Sequence, residues 1–172
     1  MKPLKKFPLE YFLKYKEKPV KLKKFSPVQT KIAKKYLQKL SIILKAFDIE
    51  LKVRGSTAFG ILGKGEVEVG VYPKQSDWKL VLSVLEEKWG KPENLEENYA
   101  RFNDKCNGIE IEIIVLKGHD AKVDIKLHEY LLTHKELLNK YAEVKKKYAF
   151  SKREYQIQKN KFLDGVIKQI PV

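Results

Sequence analysis

Acidic and small polar residues recur at three places in the middle of the chain, in an order that suits metal and phosphate chemistry. Gly55–Ser56 comes first, Glu66 and Glu68 follow, and Glu110 and Glu112 come later. Each acidic pair flanks one apolar residue. Because alternate side chains of a β-strand point to the same face, each pair is expected to present both carboxylates on one side of a strand.

These carboxylates form one patch if the two acidic strands are neighbours. Such a cluster repels itself unless protons or cations occupy it. Carboxylate oxygens are preferred ligands of hard cations such as Mg²⁺, and paired divalent ions are a recurring device for attack on a phosphate. The sequence predicts an Mg²⁺ or Mn²⁺ site at Glu66, Glu68, Glu110 and Glu112. Glu66, Glu68 and Glu112 are the predicted catalytic residues.

The residues before the first acidic pair suit the binding of a phosphate group. Gly55 and Ser56 follow a predicted strand, where backbone N–H groups and a short helix start near Thr57 can hold phosphate oxygens. Arg54 and Lys64 add positive charge nearby. We therefore predict that Arg54, Gly55, Ser56 and Lys64 bind phosphate oxygens.

A second interpretation of the glutamates needs no ligand. A strand with one face in water also alternates apolar and charged residues, and each acidic stretch taken alone favours such a solvated face. The order of Gly-Ser, acidic pair and second acidic pair is what favours a site.

The surrounding pattern predicts an α/β domain with a small mixed sheet and helices packed mainly on one face. Ser26 and Pro27 suit a helix start, and three prolines spread along the preceding segment exclude one continuous helix there. We predict a basic arm over 1–25 and a folded domain over 26–172. The predicted elements are a helix from 27 to about 47, strands at 49–54, 66–72 and 108–116, a helix ending at Gly90, a short strand near 99–102 and a helical last third.

Positive charge is concentrated at the two ends of the chain. Residues 1–52 hold 15 Lys and Arg against 4 acids, a net charge of +11, and residues 121–172 hold 12 against 6, or +6. The middle, residues 53–120, holds 9 against 12, or −3. Basic ends favour an anionic partner such as RNA or DNA, and a Lys-rich surface without a partner is the other interpretation.

The acidic constellation resembles the nucleotidyltransferase superfamily, whose pattern is Gly-Ser, a linker, an acid–apolar–acid strand and a third acid on a later strand. Residues 48–163 resemble its GrpB-like family more specifically. The family's G-S-T-A/S stretch and Gly-Leu-rich turn are matched at 55–64, and its Y-L-x-x-H-P-E-L pattern is matched at 130–137 with Lys135 in place of proline. The family's final Y-x-x-x-K-x-x-F is matched by Tyr155, Lys159 and Phe162.

The resemblance implies the nucleotidyltransferase fold and a specific reaction. A nucleoside triphosphate, such as ATP, would bind with Mg²⁺, and a nucleotidyl group would pass to an acceptor hydroxyl with release of pyrophosphate. The superfamily carries aspartates where this chain has Glu66 and Glu68. Two alternatives remain beside this enzyme: a non-catalytic basic module that binds nucleic acid, and an inactive relative of the fold.

The remaining composition indicates the cellular setting. The chain has one cysteine, Cys106, and no apolar run near the roughly 20 residues of a membrane helix. We therefore expect a protein of the reducing cytoplasm that does not enter a membrane.

Overall fold

One five-stranded mixed β-sheet carries both acidic stretches, with strand order β1-β2-β5-β4-β3. The structure, a computed structural model, describes residues 7–171. β2 and β5 are parallel, and the other neighbouring pairs are antiparallel. The predicted α/β class with a small mixed sheet is confirmed. The strands are β1 (Ile49–Arg54), β2 (Val67–Pro73), β3 (Asn94–Leu95), β4 (Tyr99–Cys106) and β5 (Ile109–Leu116).

The second helix begins at Pro27, as the sequence predicts, but ends at Ile43 rather than near residue 47. Ser26 caps the second helix, because its Oγ accepts the N–H of Val28 while the Gln29 side chain accepts the N–H of Ser26. Among the described residues, no helix has the length and apolar composition needed to cross a bilayer. The α-helices are α1 (Leu9–Phe12), α2 (Pro27–Ile43), α3 (Gly55–Phe59), α4 (Trp78–Trp89), α5 (Gly118–Thr133), α6 (Lys135–Lys147) and α7 (Lys152–Ile167).

The chain divides into two compact units. The sheet unit comprises Phe25–Gly60 and Gly65–Lys122, and the helical unit comprises 7–24, Ile61–Lys64 and 123–171. Residues 7–24 of the basic arm therefore belong with the C-terminal helices, and Phe25 belongs to the sheet unit. The domain boundary predicted after residue 25 stays a prediction, and residues 1–6 of that arm and Val172 lie outside the described residues.

The core of the sheet unit lies on one face of the sheet, where α2 and α4 pack. Inward side chains alternate along the central strands, as the sequence pattern predicts for a sheet covered on that side. The polar residues between them, Glu68 and Glu112 among them, therefore lie on the other face. The core comprises Ile32, Ala33, Tyr36 and Leu40 of α2, Trp78, Val81, Leu82 and Leu85 of α4, and Val67, Val69, Val71, Ala100, Phe102, Ile111, Ile113 and Val115 of the strands.

A carboxylate on β4 connects both of these helices to the sheet. Asp104 Oδ2 accepts hydrogen bonds from the Tyr36 hydroxyl at 2.7 Å and from Trp89 Nε1 at 2.8 Å. The N–H of Lys105 donates to Oδ1 at 2.8 Å. Partial burial acts to raise the pKa of Asp104, but these hydrogen bonds outweigh it and hold the pKa below its usual value. Ionised Asp104 therefore stabilises the packing of α2 and α4 on the sheet.

We expect Asp104→Asn to reduce the free energy of unfolding at neutral pH by about 1–3 kcal/mol, because two charge-assisted hydrogen bonds are weakened. The lowered pKa means that this stabilisation is present above the unfolded-state pKa of about 4 and is lost as the pH falls further. Urea unfolding at neutral and acidic pH measures both effects. The control is Asp48→Asn, whose exposed ion pair with Lys74 should contribute little. A loss of stability for Asp104→Asn that is equally large at acidic pH would contradict this assignment.

Candidate functional site

The register between β2 and β5 brings glutamates of the two acidic stretches together. Glu68 is paired directly with Glu112 across the two parallel strands. One carboxylate oxygen from each of Glu66, Glu68 and Glu112 lies within 4.8 Å of the others. All three side chains are partly buried, so water screens their mutual repulsion less than it would at an open surface.

Glu66 stands just before β2 and is positioned through its backbone. Its carbonyl oxygen accepts hydrogen bonds from Gln29 Nε2 at 3.3 Å and from Thr57 Oγ1 at 3.4 Å. Gln29 and Thr57 are both buried. Helices α2 and α3 thus fix the point at which the chain enters β2.

Two arginines neutralise part of the negative charge. Arg54 Nη1 lies 3.4 Å from Glu68 Oε2, and Arg101 Nη1 lies 3.5 Å from Glu112 Oε1. Arg54 stands at the end of β1 opposite Glu68, and Arg101 stands on β4 beside β5. Two positive charges face three carboxylates, so these five groups keep a net negative charge that favours a cation.

Arg101 also carries a donor suited to an anion. Within residues 7–171, its Nε is the one buried side-chain nitrogen or oxygen atom without a hydrogen-bond partner. A buried N–H without an acceptor costs free energy, and a phosphate oxygen is a good acceptor for a guanidinium group. The site therefore combines carboxylates that suit a cation with a guanidinium group that suits a phosphate.

Tyr99 lies beside the same charged groups. Burial raises the pKa of its hydroxyl to about 12; Arg101 and Arg54 lower that pKa, while Glu112 and Glu68 raise it. The phenol is consequently neutral and can donate a hydrogen bond. Sequence reasoning missed Tyr99 and Arg101, although both alternate with the buried Ala100 and Phe102 along β4.

Gly55 allows the chain to turn from β1 into α3 next to Glu68. Its φ of +61° lies in the left-handed region, which glycine adopts without the strain of a side chain. A Cβ at this position would lie 2.7 Å from Glu68 Oε1. Helix α3 begins at Gly55 rather than near Thr57, and Ser56 lies in its first turn.

Two of the predicted site residues are not part of this group in the sheet unit. Glu110 is outside the group of three, and its exposed carboxylate forms an ion pair with Lys105 Nζ at 3.2 Å. Lys64 belongs to the helical unit, where it lines a cleft with other lysines. The structure thus brings together Arg54, Gly55, Glu66, Glu68 and Glu112, with Ser56 next to Gly55.

Comparison with known proteins gives remote structural similarity only. Cid1 in complex with its product ApU is 17% identical, with a TM-score of 0.43 over 81% of this chain and 47% of that chain. The CdnE cyclic dinucleotide synthase of Elizabethkingia meningoseptica, with GTP and Apcpp, is 9% identical, with a TM-score of 0.48 over 96% of this chain and 76% of that chain. Leishmania infantum polymerase β in a ternary gap complex is 8% identical, with a TM-score of 0.42 over 81% of this chain and 50% of that chain.

The chain spans about half the length of the Cid1 chain, at 47%. No protein-family model matches the sequence, and no curated protein matches it. We therefore derive the function from the residues of the site.

The contact between Gly55 and Glu68 can be measured by a double-mutant cycle. Alanine at Gly55 or at Gly60 should cost about 1–2 kcal/mol of backbone strain, because both glycines have positive φ. Only Gly55→Ala also meets the Glu68 carboxylate, since a Cβ at Gly60 would meet nothing within 4 Å. We expect Gly55→Ala and Glu68→Ala to couple by about 0.5–3 kcal/mol in urea unfolding, and Gly60→Ala and Glu68→Ala to be additive. Simple additivity in the Gly55 cycle would show that the two residues do not touch.

Proposed function

We propose that this protein is a nucleotidyltransferase of the GrpB-like kind, which binds a nucleoside triphosphate with Mg²⁺ or Mn²⁺ and transfers a nucleotidyl group to an acceptor hydroxyl. The observation that carries the proposal is the approach of the carboxylates of Glu66, Glu68 and Glu112 to within 4.8 Å of one another. The sequence motifs that resemble the GrpB-like family support the same reaction. In that reaction the acceptor oxygen forms a bond to the α-phosphorus, and the bond to pyrophosphate breaks.

The donor set fits the implied metal. The three carboxylates, two on the parallel neighbouring strands β2 and β5 and one just before β2, supply only oxygen ligands, which Mg²⁺ and Mn²⁺ prefer. Glu66, Glu68 and Glu112 are the residues that would hold it. When bound there, a divalent ion neutralises phosphate charge and activates an oxygen nucleophile.

The chain's own residues bind and orient the nucleotide in this proposal. Gly55 and Ser56 offer backbone N–H groups at the β1–α3 turn to triphosphate oxygens. Arg101 offers the unpartnered Nε–H described above, and Arg54 adds a second guanidinium group beside Glu68. These donors counter the charge of the triphosphate while the carboxylates counter the charge of the metal.

A contribution of Lys64 to triphosphate binding stays a sequence-based prediction. RNA or DNA, bound through the basic ends of the chain, is the second candidate partner, and it does not require catalysis. The observation that favours it is the cleft in the helical unit that lysines of the arm share with α7.

Thermal melting with and without Mn²⁺ and a nucleoside triphosphate tests the proposed site. We expect Mn²⁺ to raise the melting temperature, because a ligand at a hundred to a thousand times its Kd adds about 3–4 kcal/mol of stability. The nucleotide should raise it further. Glu68→Gln keeps the size of the side chain and should abolish the metal-dependent increase.

Glu110→Gln is the matched control, because it removes the same charge from the same face of β5 but outside the group of three. It should keep the full response to metal. Transfer of label from an α-labelled nucleoside triphosphate to an acceptor, tested in the same variants, reports the reaction itself. A parent protein whose melting temperature ignores both ligands would rule out the metal site.

A further inference from the structure

A basic cleft is lined by residues of the helical unit alone. It has a volume of about 230 Å³, and all of its lining residues are basic or neutral. Three chain segments contribute to it: the end of the arm, the loop Ile61–Lys64 and the start of α7. The lining residues are Lys18, Pro19, Val20, Lys21, Lys64, Lys152, Tyr155 and Gln156.

Backbone hydrogen bonds hold the arm in place at this cleft. The N–H of Lys152 donates to the carbonyl of Lys18 at 2.8 Å, and the N–H of Val20 donates to the carbonyl of Ala149 at 2.7 Å. Lys23 and Gly63 exchange two further bonds, at 2.7 and 3.1 Å. The cleft lysines therefore extend from a fixed backbone, and their convergence is a property of the fold.

The charges of the cleft suit a phosphate group. Lys18, Lys21 and Lys152 bring three ammonium groups to one small cleft, and an anion relieves their mutual repulsion. The Gln156 amide can donate a hydrogen bond to a phosphate oxygen as well.

Aromatic rings accompany the lysines of this unit. Lys152 Nζ lies 5.8 Å from the ring centroid of Tyr15, and Lys14 Nζ lies 3.5 Å from that of Tyr11. Arg153 Nε donates to the Tyr15 carbonyl at 3.1 Å, which holds this part of the arm against α7. Lysines interleaved with partly exposed tyrosines are the arrangement on which single-stranded nucleic acids bind, because the bases stack on rings while the backbone meets ammonium groups.

We propose that this cleft binds the sugar-phosphate backbone of a single-stranded nucleic acid. Lys18, Lys21 and Lys152 contact phosphate groups, and Tyr15, which is partly exposed, stacks on a neighbouring base. The proposal gives a location to the nucleic-acid partner suggested above. It does not rest on the acidic site, because the nucleic acid needs neither a metal nor catalysis in order to bind.

Fluorescence anisotropy of a labelled single-stranded oligonucleotide, titrated with the full chain over a series of salt concentrations, tests the proposal. The cleft variant is Lys18→Gln/Lys152→Gln, which leaves the proposed metal and triphosphate ligands unchanged. Its affinity should fall roughly tenfold at low salt, and the slope of log K against log salt should shrink by about 1.4 for two lost phosphate contacts.

The matched control is Lys161→Gln/Lys168→Gln, which removes the same charge from exposed positions in the second half of α7 and just beyond its end. It should leave both affinity and slope close to those of the parent protein. Equal losses in the two variants would mean diffuse attraction to the whole surface, and would overturn the cleft assignment. No binding by the parent protein at low salt would overturn it as well.

Two further binding measurements distinguish a single-stranded nucleic acid from other anionic ligands. A duplex of the same sequence should bind more weakly than the single-stranded oligonucleotide, and equally tight duplex binding would overturn the role of Tyr15. Inorganic phosphate should compete only weakly, because it makes one of several contacts. Tight phosphate binding that is lost in the cleft variant, without binding of the oligonucleotide, would reassign the cleft to a small anion.

The metal response of the cleft variant should match that of the parent protein. Loss of oligonucleotide binding can therefore be distinguished from loss of metal binding at the acidic site.

Discussion

The pairing of β2 with β5 sets Glu68 beside Glu112, and the sheet unit must then accommodate three carboxylates within 4.8 Å. At that separation two like charges repel by about 3 kcal/mol at the effective dielectric constant of a protein surface. Arg54 and Arg101 offset part of this repulsion from the two flanking strands, β1 and β4. The cluster therefore depends on the order of four adjacent strands, and its carboxylates offer the oxygen ligands that a divalent cation prefers.

The elements around the cluster hold its members close to one another. Gln29 of α2 and Thr57 of α3 bind the backbone of Glu66, and Gly55 leaves room for Glu68. Asp104 connects α2 and α4 to β4, the strand that also carries Arg101 and Tyr99. Packing of the hydrophobic core between the sheet and these helices thus fixes the positions of the strands that carry the polar residues on the other face.

The sequence could predict the polar face because alternation with a period of two depends only on neighbouring residues. Glu66, Glu68 and Glu112 were predicted together, and they lie together. Glu110 shares the face of Glu112, but Lys105 on β4 holds it in an ion pair, and that contact depends on the register of β4 against β5. Arg101 and Tyr99 were missed for the same reason: only the pairing of strands shows which residues of β4 stand beside the glutamates. Lys64 follows the Gly-rich turn in sequence, but in the fold it belongs to the helical unit. No pattern in the neighbouring residues indicates this assignment.

Anomalous scattering from Mn²⁺ in crystals soaked with the ion and a non-hydrolysable nucleoside triphosphate tests the metal site most directly. We expect a peak within about 2–2.5 Å of carboxylate oxygens of Glu66, Glu68 and Glu112, with the triphosphate beside it. If saturating Mn²⁺ gives no peak there, and Arg54 and Arg101 keep their ion pairs with the glutamates, then the cluster is a structural ion-pair network and the proposed metal site is wrong.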